Sequence, residues 1–319
     1  MILIVSNERD LTADYIVLEL VRRGISYIRL NSENLPKYLV SYVPTERGDK
    51  WNICLDGSAV EFENVRAAYY RRPGEPKISD HISAVGLRKY CQTEWTALLS
   101  SALNSLGRRW LNSPLAIYAA EDKPRQLAVA VRLGFSVPVT VVSNDIHQGQ
   151  RLLRNGRMVA KPLREALIED DESSEVIFTS EVKSLDDSFG ENLSLAPVIF
   201  QRLFEKTSDI RVTVVGGKCF SAEILSQESS ETKIDWRKGE FPNIEHRSHD
   251  LPIDIQCKCI AIVKEFDLKF GAIDLILDAD GNYWFLEINP NGQWAWIENR
   301  TGLLISSAIV DELEEISRC

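Results

Sequence analysis

The chain has 319 residues, 44% of them hydrophobic and 26% charged, enough for two or three domains with a sizeable core. Its net charge of −10 offers no basic stripe of the kind a nucleic-acid surface needs. No apolar run approaches the roughly 20 residues of a membrane span. The first residues, Met1-Ile-Leu-Ile-Val-Ser6, lack the basic start and long apolar core of a signal peptide. Cys54, Cys91, Cys219, Cys257, Cys259 and Cys319 are scattered without the paired CxxC spacing of a zinc site, which fits a reducing cytosol; Cys257 and Cys259, on one strand face or a helix turn, read as structural thiols.

In chain order, the opening reads as β-α-β. Ile2–Val5 is a strand, Leu11–Arg23 has helical spacing and ends at Gly24, and Ser26–Leu30 is the next strand. No G-x-G-x-x-G turn follows the first strand, so the dinucleotide fingerprint is missing and a plain oxidoreductase is disfavoured. Trp51–Leu55 and Val60–Phe62 form a predicted hairpin around Asp56-Gly57; Val65–Tyr70 is a strand ending in Arg71-Arg72-Pro73. A long helix is expected from about Ile82 to Ser105, and Leu111-Asn-Ser-Pro114 reads as a domain boundary. Asp122 can cap a helix that has Pro124 in its first turn and stops at Gly134. Val137–Val142 is a strand, a helix covers about 144–153, and Asn155-Gly156 gives a type I′ turn signal before the strand Met158–Pro162. The acidic Glu169–Glu175 is a solvated loop, and Val176–Ser180 and Val198–Gln201 are strands. Arg211–Val215 and Lys218–Ile224 make a hairpin about Gly216-Gly217. The chain closes with strands over 271–277 and 283–289, joined by Asp278-Ala-Asp-Gly281, and a helix over Leu303–Ile316.

The last strand pair carries the most chemistry. Strand side chains alternate, so Glu287 and Asn289 share a face. Centring the turn on residues 279 and 280 puts Asp274 opposite Phe285 and diagonal to Glu287. Ile273, Leu275, Leu277, Trp284, Leu286 and Ile288 then take the other face. Two close carboxylates repel, and a hard divalent cation removes the conflict; oxygen-only ligands suit Mg²⁺. An ordinary hairpin with a wet face is the competing reading, and the following Asn289-Pro-Asn-Gly favours the metal.

Lys161 lies in the apolar strand Val159-Ala-Lys-Pro162, where an anion would relieve its desolvation; a surface lysine on an edge strand is the alternative. Lys123 begins a helix, where a cation works mildly against the dipole. No Walker A sequence is present. Asp209 and Arg211 share a face. They could hold ribose hydroxyls and a phosphate or carboxylate, or simply pair with each other. Ile234-Asp-Trp-Arg237 adds a second arginine suited to charge that develops in phosphoryl transfer. Arg71 and Arg72 read equally as contacts for an acidic peptide and as solvated charges.

In order and spacing these residues resemble the ATP-grasp superfamily: Lys123, Val159-Ala-Lys161-Pro, the hinge Gln201-Arg-Leu-Phe204, Asp209-Ile-Arg211, Asp274 and Phe285-Leu-Glu-Ile-Asn-Pro-Asn-Gly-Gln293. Tyr69-Tyr-Arg-Arg-Pro73, Leu111-Asn-Ser-Pro114, Lys233-Ile-Asp-Trp-Arg237 and Gln293-Trp-Ala-Trp296 narrow the resemblance to peptide-modifying ligases of the microviridin (graspetide) type. The resemblance implies an α/β chain in three parts: a Rossmann-like pre-grasp domain over 1–112, a lid over 113–198, and a grasp domain over 199–319. It implies ATP held by Lys123, Lys161, Gln201, Arg202, Leu203, Phe204 and Asp209, and Mg²⁺ held by Asp274, Glu287 and Asn289. Arg202 stands where such ligases usually carry an acidic residue, a change that backbone reading of adenine should survive. Arg211 and Arg237 would act on the γ-phosphate and an acyl phosphate; Arg71, Arg72 and Trp294 would face the substrate.

The implied reaction activates an Asp or Glu side chain of a precursor peptide as an acyl phosphate. A Ser/Thr hydroxyl or Lys amine of the same peptide then attacks it, closing an ester or amide ring. The partner would be that peptide, a leader followed by an acidic core containing Ser/Thr or Lys, and a homodimer is compatible with the resemblance. No nucleic-acid or membrane partner is expected, and the setting is cytoplasmic. The alternatives are a ligase that adds amino acids to a peptide or protein terminus, and a nucleotide-binding regulator without catalysis.

Overall fold

The computed structural model describes residues 1–46, 48–55, 58–164, 167–169, 174–230, 232–238 and 244–318. Its first part starts with β1 (Ile2–Ser6), α1 (Leu11–Arg23) and β2 (Tyr27–Asn31). The Asp10 carboxylate caps α1 by accepting from the Ala13 N–H, and Gly24 ends it in the left-handed region at φ 67°. Next come β3 (Leu39–Thr45), β4 (Gly48–Leu55), β5 (Ser58–Glu61), β6 (Ala67–Tyr70) and the long helix α2 (Val85–Asn104). β1 is the buried centre of a parallel sheet ordered β2-β1-β6, as its unbroken apolar run requires. β3, β4 and β5 form a separate antiparallel sheet. β3 was not anticipated, because nearly all of it is exposed and it carries no alternating apolar face. The predicted Asp56-Gly57 turn lies outside the described residues, although β4 and β5 pair as a hairpin requires.

The middle part holds α3 (Pro114–Ala120), α4 (Lys123–Arg132), β7 (Thr140–Ser143), α5 (Ile146–Arg154), β8 (Met158–Pro162), β9 (Leu167–Glu169), β10 (Ser174–Val176), β11 (Ser180–Val182), α6 (Gly190–Leu195) and β12 (Val198–Arg202). Asp122 caps α4 and Pro124 sits in its first turn, as expected. Two expectations are corrected. Asn155-Gly156 closes α5 and is not a hairpin turn, because the residues before it are helical. The strand expected over Val176–Ser180 splits, with β10 ending at Val176 and β11 beginning at Ser180. Of the acidic Glu169–Glu175, expected as a loop between strands, residues 170–173 lie outside the described residues; Glu169 ends β9 and Glu175 lies in β10, and these two strands pair antiparallel. β11, β8, β12 and β7 pair antiparallel in that order over a small core of Leu152, Met158 and Phe200.

The last part contains β13 (Ser208–Val215), β14 (Lys218–Ile224), β15 (His246–Ser248), α7 (Ile253–Glu265), β16 (Phe270–Leu277), β17 (Tyr283–Asn289), α8 (Ala295–Thr301) and α9 (Ile305–Arg318). Its antiparallel sheet runs β15-β14-β13-β16-β17. One core joins this part to the first: Ile2, Ile4 and Ile16 pack with Phe270, Trp294, Ile309 and Leu313. Cys54, Cys91, Cys219, Cys257 and Cys259 are free thiols, with Cys257 and Cys259 on α7. No described helix is long and apolar enough to cross a membrane.

The register of β16 on β17 departs from expectation. Asp278 accepts from Asn282 side-chain and backbone N–H groups, so five residues make the turn and Leu277 faces Tyr283. A bulge then shifts the ladder between Asp274 and Leu275, and Asp274 stands directly opposite Glu287. Phe285, expected on the wet face, opposes Leu275 in the core and meets Phe135 at 5.2 Å. Leu286, expected in the core, lines the cleft with Glu287. Phe285→Ala should therefore cost about 3–5 kcal/mol, the usual cost of emptying a buried aromatic site. Denaturant unfolding would measure it, and a loss near zero would contradict the bulged register.

Candidate active site

Asp274 and Glu287 face each other inside a cleft, with 17% and 16% of their side-chain surfaces exposed. The chain surrounds them with cations. On β13, Arg211 faces Asp274 across the ladder, and its Nη1 lies 2.6 Å from both carboxylate oxygens. Lys123, at the start of α4, reaches Glu287 at 3.3 Å and the Pro162 carbonyl at 3.4 Å. The Asn289 side-chain amide donates to Asp274 at 3.1 Å. Burial pushes both carboxyls up, yet they end apart. Lys123, Lys161 and Arg237 outweigh burial at Glu287 and hold it at about 2. At Asp274 burial, reinforced by Glu287, prevails over Arg211, and the carboxyl stays above the usual range.

The donor set fits a hard divalent cation. Asp274, Glu287 and the Asn289 amide oxygen are hard oxygen donors, and each carboxylate oxygen has a second lone pair beyond the one a guanidinium or ammonium takes. Burial, with the neighbouring Glu287 carboxylate, disfavours the charged form of Asp274, and a bound cation would favour it.

Lys161 on β8 donates to the Gln201 side chain at 3.0 Å, and Gln201 donates to Thr140 at 2.8 Å. Burial, with Lys123 and Arg237 adding, pushes the Lys161 ammonium below the usual lysine range against the pull of Glu287 and Asp274. An anion at this point would favour its charged form. Beyond β12 the hinge is held by the chain itself. The Arg202 N–H donates to Val139 and the Leu203 N–H to Arg157, while Phe204 stacks on Trp284 at 4.3 Å. The Arg202 guanidinium turns back to the Asn155 carbonyl. Asp209 is 5% exposed and takes two bonds from Lys206, at 2.7 and 2.6 Å. Arg237 pairs with the buried Asp235 at 2.7 Å, and Asp235 also accepts from the Thr179 N–H beside β11. Lys123, Lys161, Gln201 to Phe204, Asp209, Arg237, Asp274 and Glu287 thus line one pocket. It meets a wider cleft of about 720 Å³ that adds Arg72, Arg164, Arg211 and the Asn289–Gln293 turn.

A family model described as the RimK-like ATP-grasp domain matches residues 120–313, and one described as the MvdD pre-ATP grasp domain matches residues 1–117. The chain belongs to the RimK-like ATP-grasp family. A Chryseobacterium gregarium RiPP-associated ATP-grasp ligase, solved with ADP and a leader and core peptide, is 26% identical with a TM-score of 0.91 over 98% of this chain and 96% of its own. The macrocyclase MdnC from Microcystis aeruginosa, bound to its precursor peptide MdnA, is 29% identical with a TM-score of 0.86 over 99% of both chains. A probable alpha-L-glutamate ligase from Legionella pneumophila is 24% identical over 220 residues, 67% of this chain and 69% of its own. The chain is accordingly an ATP-grasp ligase with a pre-grasp domain.

Two expected substrate residues of this ATP-grasp ligase do not face the cleft. Trp294 is fully buried, donates to the Tyr69 hydroxyl at 3.2 Å and packs in the core, because a bulky indole at the head of α8 fills the joint with β6. Arg71 is 1% exposed and grips the Asn291 carbonyl; only Arg72 opens to the cleft. Several contributors were missed by sequence reasoning. Lys206 had a readable signal, three residues before Asp209. Gln126 had none: on α4 it accepts from the Ile288 N–H and donates to its carbonyl, fixing β17 beside Glu287.

The Glu287 shift sets a pH dependence. A carboxyl held below its unfolded value of 4.5 stabilises the fold above that pH, and this contribution is lost as pH falls toward about 2. Glu287→Gln removes it. The wild type should therefore lose stability more steeply than the variant as pH falls through that window; parallel unfolding curves would contradict the assignment.

Proposed function

We propose that this ligase uses ATP to activate a side-chain carboxylate of a precursor peptide as an acyl phosphate, which a Ser/Thr hydroxyl or Lys amine of the same peptide then captures as a ring. The observation that carries the reading is the wide cleft continuous with the lysine-lined pocket through Lys123, Arg237, Asp274 and Glu287. At about 720 Å³ it is in the size range of sites that take drug-sized ligands. Arg72, Arg164, Arg211 and Arg237 give it the charge to take an acidic segment. The pre-grasp match over 1–117, and the similarity to peptide-bound RiPP ligases over almost the whole chain, support a peptide substrate.

In this reading the chain divides into a pre-grasp domain over 1–112, a lid over 113–198 and a grasp domain over 199–319. Lys123 and Lys161 hold the phosphates of ATP. The hinge 201–204 reads the adenine edge through its backbone, and Asp209 receives ribose. Mg²⁺ at Asp274, Glu287 and Asn289 would neutralise phosphate charge. Arg211 and Arg237 offset repulsion between the carboxylate and the γ-phosphate. The carboxylate oxygen bonds to the γ-phosphorus as the bond to ADP breaks; the nucleophile then bonds to the acyl carbon, loses its proton and expels phosphate. The sheet of β7, β8, β11 and β12 covers the site and excludes water.

A second reading has its own support, since the sequence relatives over 67% of the chain are named glutamate ligases. Mass spectrometry of a candidate precursor after incubation with enzyme, ATP and Mg²⁺ separates the two. Ring closure removes one water per ring, whereas glutamate addition raises the mass by a residue. Glu287→Gln should fold and lose ATP turnover; normal turnover would remove the metal from the scheme. Arg237→Ala should reduce product formation by roughly 100-fold or more, in the range of losing one charge-stabilising donor, with ATP affinity much less affected. An effect confined to ATP affinity would contradict its role at the acyl phosphate.

A further inference from the structure

Arg71 was left without a role by the cleft. Its guanidinium is almost wholly buried, which is costly unless each donor is matched. Nη1 donates to the Asn291 carbonyl and lies 3.1 Å from the Asn291 side-chain oxygen. Nε lies 3.3 Å from Asp10, whose other oxygen caps α1, but neither Nε nor Nη2 completes a hydrogen bond. An apolar side chain of similar size would avoid these orphaned donors, so stability alone does not account for a cation here.

The residue it grips explains it. Asn289-Pro-Asn-Gly292 is a tight turn closed by the Gly292 N–H on the Asn289 carbonyl at 3.2 Å, and Asn289 is the amide beside Asp274. Three contacts hold this turn. Arg71 takes the carbonyl of Asn291, and Asn112 takes the carbonyl of Pro290 at 2.9 Å while also bonding Phe270 at the start of β16. Gly292 lies so close to Ala272 that a Cβ there would come within 2.5 Å of it. Two of the three clamps come from the first 117 residues, outside the ATP-grasp segment that carries the carboxylates.

We propose that Arg71 is a positioning residue for the metal site: held by Asp10, it sets the Asn289–Gly292 turn so that the Asn289 amide stands beside Asp274 and Glu287. The pre-grasp domain thereby completes the metal site of the neighbouring domain without touching the metal. Outer groups that orient ligands in this way commonly change metal affinity 10–100-fold when removed. The proposal rests on the metal reading of Asp274, Glu287 and Asn289.

The test measures Mn²⁺ binding to the full chain with ADP by electron paramagnetic resonance, together with metal-free ADP affinity. Arg71→Met should weaken Mn²⁺ binding about 10–100-fold with metal-free ADP affinity unchanged, and Arg71→Lys should recover part of the loss. Wild-type Mn²⁺ affinity in folded Arg71→Met overturns the proposal. If that variant does not fold, Asn291→Ala, which keeps the arginine, decides: weaker Mn²⁺ binding supports the role and wild-type binding overturns it. Glu287→Gln runs alongside. If it loses Mn²⁺ and Arg71→Met does not, only the positioning role fails; if both bind normally, the metal reading itself fails.

Discussion

Two carboxylates facing each other across one rung of a β-ladder, in a cleft that exposes less than a fifth of each, constrain the rest of this molecule. Such a pair repels at close range, and burial taxes both charges. The chain answers with cations from separate elements: Lys123 from α4, Lys161 from β8, Arg211 from β13, and Arg237 from the stretch between β14 and β15. The answer is uneven, and Asp274 and Glu287 are displaced in opposite directions. The lysine helix and the middle sheet are therefore brought onto the ladder by electrostatics as well as by packing.

Much of this was legible in the sequence because it is local. The apolar run of β1, the Asp122 cap with Pro124, the Gly216-Gly217 hairpin and the alternation that puts Glu287 and Asn289 together all follow from a few adjacent residues. The register was not legible. Trp284, Phe285 and Leu286 are all apolar, so an extra residue among them leaves no mark in the hydrophobic pattern, yet it decides which of them enters the core. Asn112 and Gln126 were equally silent, since their partners Phe270 and Ile288 lie more than 150 residues away. Arg71 and Arg72 show the limit most sharply. They are identical neighbours, and the backbone separates them: Arg72 sits at φ 44°, in the left-handed region, and opens to the cleft while Arg71 turns inward.

The packing also explains which parts act together. The first and last parts share one continuous core, and the turn after β17 is clamped from both. The middle sheet has its own small core and reaches the region before β15 through point contacts, Asp235 to Thr179 and Lys238 to Ser180. Under the proposed reaction, a sheet with its own core beside this shared core would suit a site that admits a nucleotide and then shuts out water.

The charge of the wide cleft has a consequence for encounter. Arg72, Lys123, Arg164, Arg211 and Arg237 outnumber Glu121, Asp274 and Glu287 there, while the whole chain carries −10. At low ionic strength an anionic ligand is thus repelled by the net charge of the chain, and it is attracted only close to the cleft, within roughly 8 Å once salt reaches physiological strength. Added salt acts on these two stages in opposite senses, easing approach and loosening capture. Under this distribution the net charge of the chain disfavours anionic ligands, while the described cleft offers them a local excess of cations.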